Sequence, residues 1–321
     1  MTTMTRDIGL ASVSRTAPGL AFALTSATAF GLSGALARPL LESGWSAGAV
    51  VLLRIAIGAV VVLPFGIVAL RGRWGTLRRS APTVVLYGAL AVAGAQFCYF
   101  SAVQTMQVGP ALLIEYTAPA AVVMWMWLLH GQRPGRVTVA GATVAALGLL
   151  LVLDLFSGAD FDVVGAAWAL AAMVGAAAYF VISADERSGL PPIALAAGGL
   201  VVGGVLLGVL GLVGLMPLDA ADAQIAYADV DVDVWVPLLL LGLVTAALAY
   251  TTGIAASRRL GSRLASFVAL SEVVLAVVWA WALLGELPSA VQFAGGALIL
   301  LGVVGVKLGE RTVVREEPVV I

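Results

Sequence analysis

The chain has 321 residues, of which 61% are hydrophobic and 11% charged, with a net charge of -1 at neutral pH. Soluble domains carry about 25% charged residues, so this composition excludes a soluble globule and identifies a membrane protein. The single cysteine, Cys98, excludes an intrachain disulfide and a cysteine-rich metal centre.

Arg6 and Arg15 precede an apolar run that closes on Ala35-Leu36-Ala37, a mimic of a signal-peptidase site. The run is longer than the roughly 7–15 residues of a signal core and further apolar runs come after it, so it reads as a retained first helix. About 20 apolar residues cross a hydrocarbon core. Cutting the chain at clusters of charge, Pro and Gly leaves ten such segments, at 18–37, 47–70, 81–103, 109–129, 137–154, 163–184, 192–215, 236–257, 264–284 and 290–308, flanked by tails 1–17 and 309–321. The fold class expected is an all-α membrane protein with ten transmembrane helices.

The longest connection, Met216 to Trp235, holds five aspartates and no basic residue, which places it outside. With both termini in the cytoplasm, every Lys and Arg except Arg38 and Arg54 then falls on the inner side, as the positive-inside rule requires. An odd helix count would break that asymmetry. The expected location is the inner (plasma) membrane.

A shift of 154 residues aligns Gly88 with Gly242, Trp125 with Trp279, Trp127 with Trp281, Gly131 with Gly285 and Pro134 with Pro288. The match runs on without a gap through Gly141 and Gly295 to Gly148 and Gly302. Two apolar helices resemble each other by composition alone, but that does not keep tryptophans, a helix-ending Gly and a Pro in one register. The units are therefore 18–154 and 163–308, and five helices per unit obliges the second to enter from the opposite side. Inverted repeats of this kind place a transported substrate near the bilayer midplane between the halves.

Three ionisable residues lie inside the apolar runs: Arg54, Glu115 and Glu272. A charge at that depth costs about 2.5–3.5 kcal/mol on insertion scales, so such residues face a cavity or a partner. Arg54 and Glu115 each lie about seven residues from the outer end of a helix, roughly 10 Å deep at 1.5 Å per residue. Either Arg54 is a gate or substrate-carboxylate anchor with Glu115 as its counter-charge, or the two form a structural ion pair that locks two helices. Glu272 aligns with Ala118, one turn from Glu115, and is a candidate for proton coupling or amine binding; the alternative is a carboxyl satisfied by Ser271 or Ser266. Gln96 and Tyr99 on the third segment and Tyr250 on the eighth occupy related stretches and are candidate pathway residues, although polar side chains in bundles also serve as hydrogen bonds between helices. Ser101, Gln104, Thr251 and Thr252 fit that structural use. The tryptophans near helix ends fit an interfacial belt, Trp168 and Tyr179 are open, and His130 reads as interfacial. No phosphate loop or His-Glu-x-x-His pair occurs, so an ATP-driven pump and a metalloprotease have no support, and nothing points to nucleic acid.

Leu53-Arg54, Ala118-Pro119, Glu272-Val273 and the run through Leu284-Gly285-Glu286 to Gly302 resemble the EamA branch of the drug/metabolite transporter superfamily. Ile114-Glu115-Tyr116-Thr117-Ala118-Pro119 is similar to its threonine/homoserine exporter group. Gln132 stands where that family usually has Glu, and Val273 where proline is expected after Glu272. The resemblance implies secondary transport or export of amino acids, related metabolites or drugs, and the expected function is export of amino acids or related compounds by alternating access. It implies no cofactor, no enzyme activity, a small-molecule substrate and a lipid environment; protons are a candidate coupling ion and a homodimer a candidate assembly. A polyspecific drug exporter of the same superfamily is the alternative, with an intramembrane enzyme behind it.

Overall fold

The computed structural model describes residues 4–118, 135–152, 162–221, 224–227 and 230–313. Eleven helices occur among them: α1 Met4–Glu42, α2 Ala47–Ala69, the short α3 Trp74–Arg79, α4 Ala81–Val103, α5 Val108–Glu115, α6 Arg136–Val152, α7 Val163–Ala184, α8 Pro192–Leu212, α9 at 235–269, α10 Ser271–Leu284 and α11 Ala290–Val313. Six spans within them are long and apolar enough to cross a membrane, and three shorter apolar helices accompany them. Of the fourth expected segment, only the part up to Ala118 lies in the described residues; Trp125, Trp127, His130 and Gln132 lie outside them.

Local chemistry sets the ends. Ser46 caps α2 by accepting from the Ala49 N–H. Pro192 opens α8, where a missing N–H costs nothing. Gly285 closes α10 in the left-handed conformation, φ 69°. α5 ends at Glu115, and the sequence explains why: a proline at 119 has no N–H for the Glu115 carbonyl and its ring would clash with it.

The repeat is visible in the backbone. α4 is wound as a π-helix over Tyr87–Gly94, and α9 over Leu241–Leu248, the same eight positions displaced by 154 residues. α5 ends at Glu115 with a turn at Tyr116, while α9 ends at Ala269 with a break at Leu270, again 154 residues on. The last helices of the two units, α6 and α11, pack backbone to backbone. A methyl at Gly141 would press on the Gly302 carbonyl, and one at Gly148 on the Gly295 carbonyl. Exchanging the units turns the first contact into the second, and the pairing order makes the two helices antiparallel.

Two features differ from the segments expected. The arginine cluster at 258–263 does not interrupt the chain, because α9 continues to Ala269; arginine is a good helix former and the charge alone supplies no stop signal. The acidic connection after α8 is also structured. Ile225–Tyr227 and Val230–Val232 form a two-stranded antiparallel hairpin whose Ile225 is buried and whose Tyr227 hydroxyl donates to the Leu36 carbonyl at 2.6 Å. Trp45 Nε1 donates to Ala221 O at 2.8 Å and Ser46 Oγ to Pro217 O at 2.8 Å, so this segment is fastened over the α1–α2 turn.

Candidate functional site

A cavity of about 70 Å³ lies between the units, walled by α1, α4, α5, α7, α9 and α10. Four of the six residues singled out from sequence line it: Gln96, Glu115, Tyr250 and Glu272. Gln96 and Tyr250 stand at equivalent positions of the two repeats, each two residues after its π-helix, so the same register delivers one polar side chain from each half. A π-turn holds one extra residue and rotates the succeeding side chains about the helix axis, a device common at functional sites.

Glu115 is 8% exposed and makes no hydrogen bond or ion pair to another described residue. Its position at the last residue of α5 turns the carboxylate to the cavity. Glu272 sits in the first turn of α10, where the helix dipole favours an acid, and its Oε2 accepts the Tyr116 hydroxyl at 2.6 Å. Tyr116 thus links the broken helix of one unit to the broken helix of the other.

Arg54 and Tyr99 stand outside the lining. The Arg54 side chain is fully buried; Nη1 donates to Gln96 Oε1, Nη2 to the Thr245 carbonyl at 2.6 Å, and the guanidinium lies over the Phe100 ring at 5.2 Å. No ion pair joins it to Glu115, so the pairing considered from sequence is replaced by a hydrogen bond that steadies Gln96. Thr245 lies inside the second π-helix, whose altered ladder leaves that carbonyl available. Tyr99 is buried behind α1, its hydroxyl against Gly34.

Sequence reasoning missed Tyr116, Phe30 and Phe180 and left Tyr179 open. Phe30, Tyr179 and Tyr250 contact one another edge to face, with centroids 5.0–6.1 Å apart, and Tyr116 meets Phe180 at 6.4 Å. Gly253 on α9 permits this wall: a methyl there would collide with the Tyr179 hydroxyl and with Ser26. Tyr116 follows Glu115 directly, and that adjacency was the available signal.

The cavity reaches Ala23 and Ser257 at one end. Farther along α1, Arg38 ties several segments together: Nε donates to Glu42 at 2.6 Å, Nη1 donates to the carbonyls of Val103 at 3.1 Å and Met106 at 2.7 Å, and Glu286 Oε1 lies 3.8 Å away. Beyond it a separate cavity of about 560 Å³ is lined by Trp45, Phe97, Ser101, Gln104, Trp168 and Asp219 among others. This is where Trp168, Ser101 and Gln104 fall, with Phe97 and Trp168 edge to face at 5.6 Å. Among the described residues no group of His, Cys, Asp and Glu is arranged to hold a metal ion.

Known proteins share this organisation. The chain is 28% identical over 272 residues to the threonine/homoserine exporter RhtA of Salmonella typhimurium (strain SL1344), covering 83% of this chain and 82% of the relative. It is 24% identical over 289 residues to the pseudopaline exporter CntI of Pseudomonas aeruginosa, covering 88% and 93% respectively. A protein of known crystal structure, 24% identical, superposes with a TM-score of 0.59 over 91% of this chain and 98% of its own. The sequence profile of the EamA-like transporter family matches residues 17–154 and again 163–308. Nearly the whole chain is thus accounted for by two copies of one unit, and the protein belongs to the EamA-like transporter family of the drug/metabolite transporters, as a multi-pass protein of the inner membrane.

Proposed function

We propose that the protein is a secondary exporter of small amino acids or related polar metabolites. It works by alternating access of two inverted five-helix units, ten membrane helices in all, with both termini in the cytoplasm. The observation that carries this reading is the cavity shared by the two units, to which each brings a carboxylate, Glu115 and Glu272, and a polar residue of equivalent register, Gln96 and Tyr250. Two relatives, one named a threonine/homoserine exporter and one a pseudopaline exporter, support the substrate class.

In this reading the described conformation is closed outside, at Arg38 and Glu286, while the cavity is directed to the inner side at Ala23 and Ser257. Glu115 and Glu272 hold substrate and exchange protons that couple its exit to the membrane gradient. Arg54 acts through Gln96, fixing the amide that faces the cavity. The cell-level test is efflux of a panel of radiolabelled amino acids from loaded cells expressing the chain. Faster loss of threonine, homoserine or a near relative than from cells with an empty vector supports the reading; equal loss for the whole panel rejects it. The aromatic wall of the cavity favours a second reading, a polyspecific drug exporter, which would instead raise resistance to several unrelated toxic compounds.

A further inference from the structure

Every described charge that reaches the cavity is negative. Glu115 and Glu272 line it, and none of the described cations does. Arg54 stands outside the lining, its Nη atoms engaged by Gln96 and Thr245 and its guanidinium over Phe100, with Nε lacking a partner among the described residues. At the inner end, Arg258 Nε donates to the Ser183 carbonyl at 3.0 Å and Arg259 stacks on Phe22 at 4.7 Å, although their neighbour Ser257 faces the cavity. A broken helix often presents its free N-terminus to a substrate carboxylate. Here the first turn of α10 carries Glu272, whose negative charge opposes a second carboxylate at that end. What remains is a carboxylate, Glu115, nine-tenths buried and unpaired among the described residues, set in a chamber walled by Phe30, Tyr116, Tyr179, Phe180 and Tyr250. Ring faces and carboxylates together suit an ammonium group, which gains from both once water is excluded.

We propose that the cavity recognises its cargo by a positively charged amino group and does not require a carboxylate. Amino-acid amides and simple primary amines then bind as amino acids do, and acylation of the amino group abolishes binding. This rests on the cavity being the transport site, and extends the cargo from amino acids to the wider class of small amines.

The test is binding to the purified full-length protein, by calorimetry, of four probes: threonine, threonine amide, isobutylamine and N-acetylthreonine, alongside efflux of radiolabelled threonine from proteoliposomes. The amide and isobutylamine are expected to bind within about threefold of threonine or tighter, and N-acetylthreonine at least tenfold more weakly. Glu115→Gln, a near-isosteric change, should weaken all three amines at least tenfold while N-acetylthreonine stays unchanged, and Glu272→Gln gives a second reading if the first variant fails to fold. Threonine moved by the protein with neither amide nor isobutylamine binding overturns the proposal and leaves the amino-acid reading standing. Amines bound and threonine neither bound nor moved has the opposite meaning. N-acetylthreonine binding as tightly as threonine, or no amine binding at all, also overturns it.

Discussion

Tyr116 of the first repeat donates its hydroxyl to Glu272 of the second at 2.6 Å, joining the two broken helices at the cavity wall. Tyr116→Phe removes that hydrogen bond and little else. The bond belongs to the folded protein itself, so its loss leaves Glu272 without that donor and should cost about 1–3 kcal/mol of stability, read as a lower melting temperature, together with a raised KM for transport because Glu272 lines the cavity. Transport kinetics and a melting curve on the same preparation check both halves of this.

Arg54 is a structural anchor as much as a site residue. Arg54→Met would leave Gln96 Oε1 and the Thr245 carbonyl without their donor, and two such losses cost about 2–4 kcal/mol. The expected result is a clear drop in melting temperature in detergent, larger than that of Glu115→Gln. Arg54→Lys keeps the charge but not the planar fork and should fall between wild type and Arg54→Met.

Gly302 faces the Ala145 N–H and the Gly141 carbonyl so closely that no side chain fits between α6 and α11. Gly302→Val forces the backbones apart and should cost about 1–3 kcal/mol or more by overpacking, read as lower yield of folded protein. Leu301→Val, one residue away and 65% exposed, should be nearly neutral in the same measurement.

Arg38 and Glu286 tie α1 to the α4–α5 turn and to the end of α10. Glu286→Gln loosens this tie, so a cysteine placed at Ser101 in the neighbouring cavity should react severalfold faster with a membrane-impermeant maleimide added outside. An unchanged labelling rate would show that the contact does not hold this face closed.

Asp185, in the connection after α7, is held at about 2 from the ordinary 3.8, first by the hydrogen bond from the Arg187 side chain. A lowered folded pKa gives stability that is complete above the unfolded value and is lost only as pH falls through about 2. Asp185→Asn should therefore leave the pH profile of transport between pH 5 and 9 unaltered.

Much of this organisation is written in the chain because two signals are strong: apolar length, and a repeat held in fixed register from Gly88 to Gly302. The 154-residue shift also relates the two π-helices, although nothing in Tyr87–Gly94 or Leu241–Leu248 marks them as π. The site was harder to read. Glu115 and Glu272 stand out because a charge in an apolar run is costly, but aromatic residues carry no such mark, so Phe30 and Phe180 looked like any packing residue and Tyr179 stayed open. The partner of Arg54 was likewise a matter of three-dimensional approach: Gln96 lies 42 residues away on another helix, and a neutral amide is no obvious mate for a guanidinium. The break at Leu270 and the uninterrupted helix through Arg258 and Arg259 reverse what charge alone suggests, because in a bundle the stop is set by backbone chemistry and packing.

The most direct test of the central claim is efflux of radiolabelled threonine from proteoliposomes holding the wild-type chain or the double variant Glu115→Gln, Glu272→Gln. The structure predicts export by the wild type and at least a tenfold lower rate for a double variant that is folded and inserted equally well. Equal rates for the two would contradict transport through this cavity.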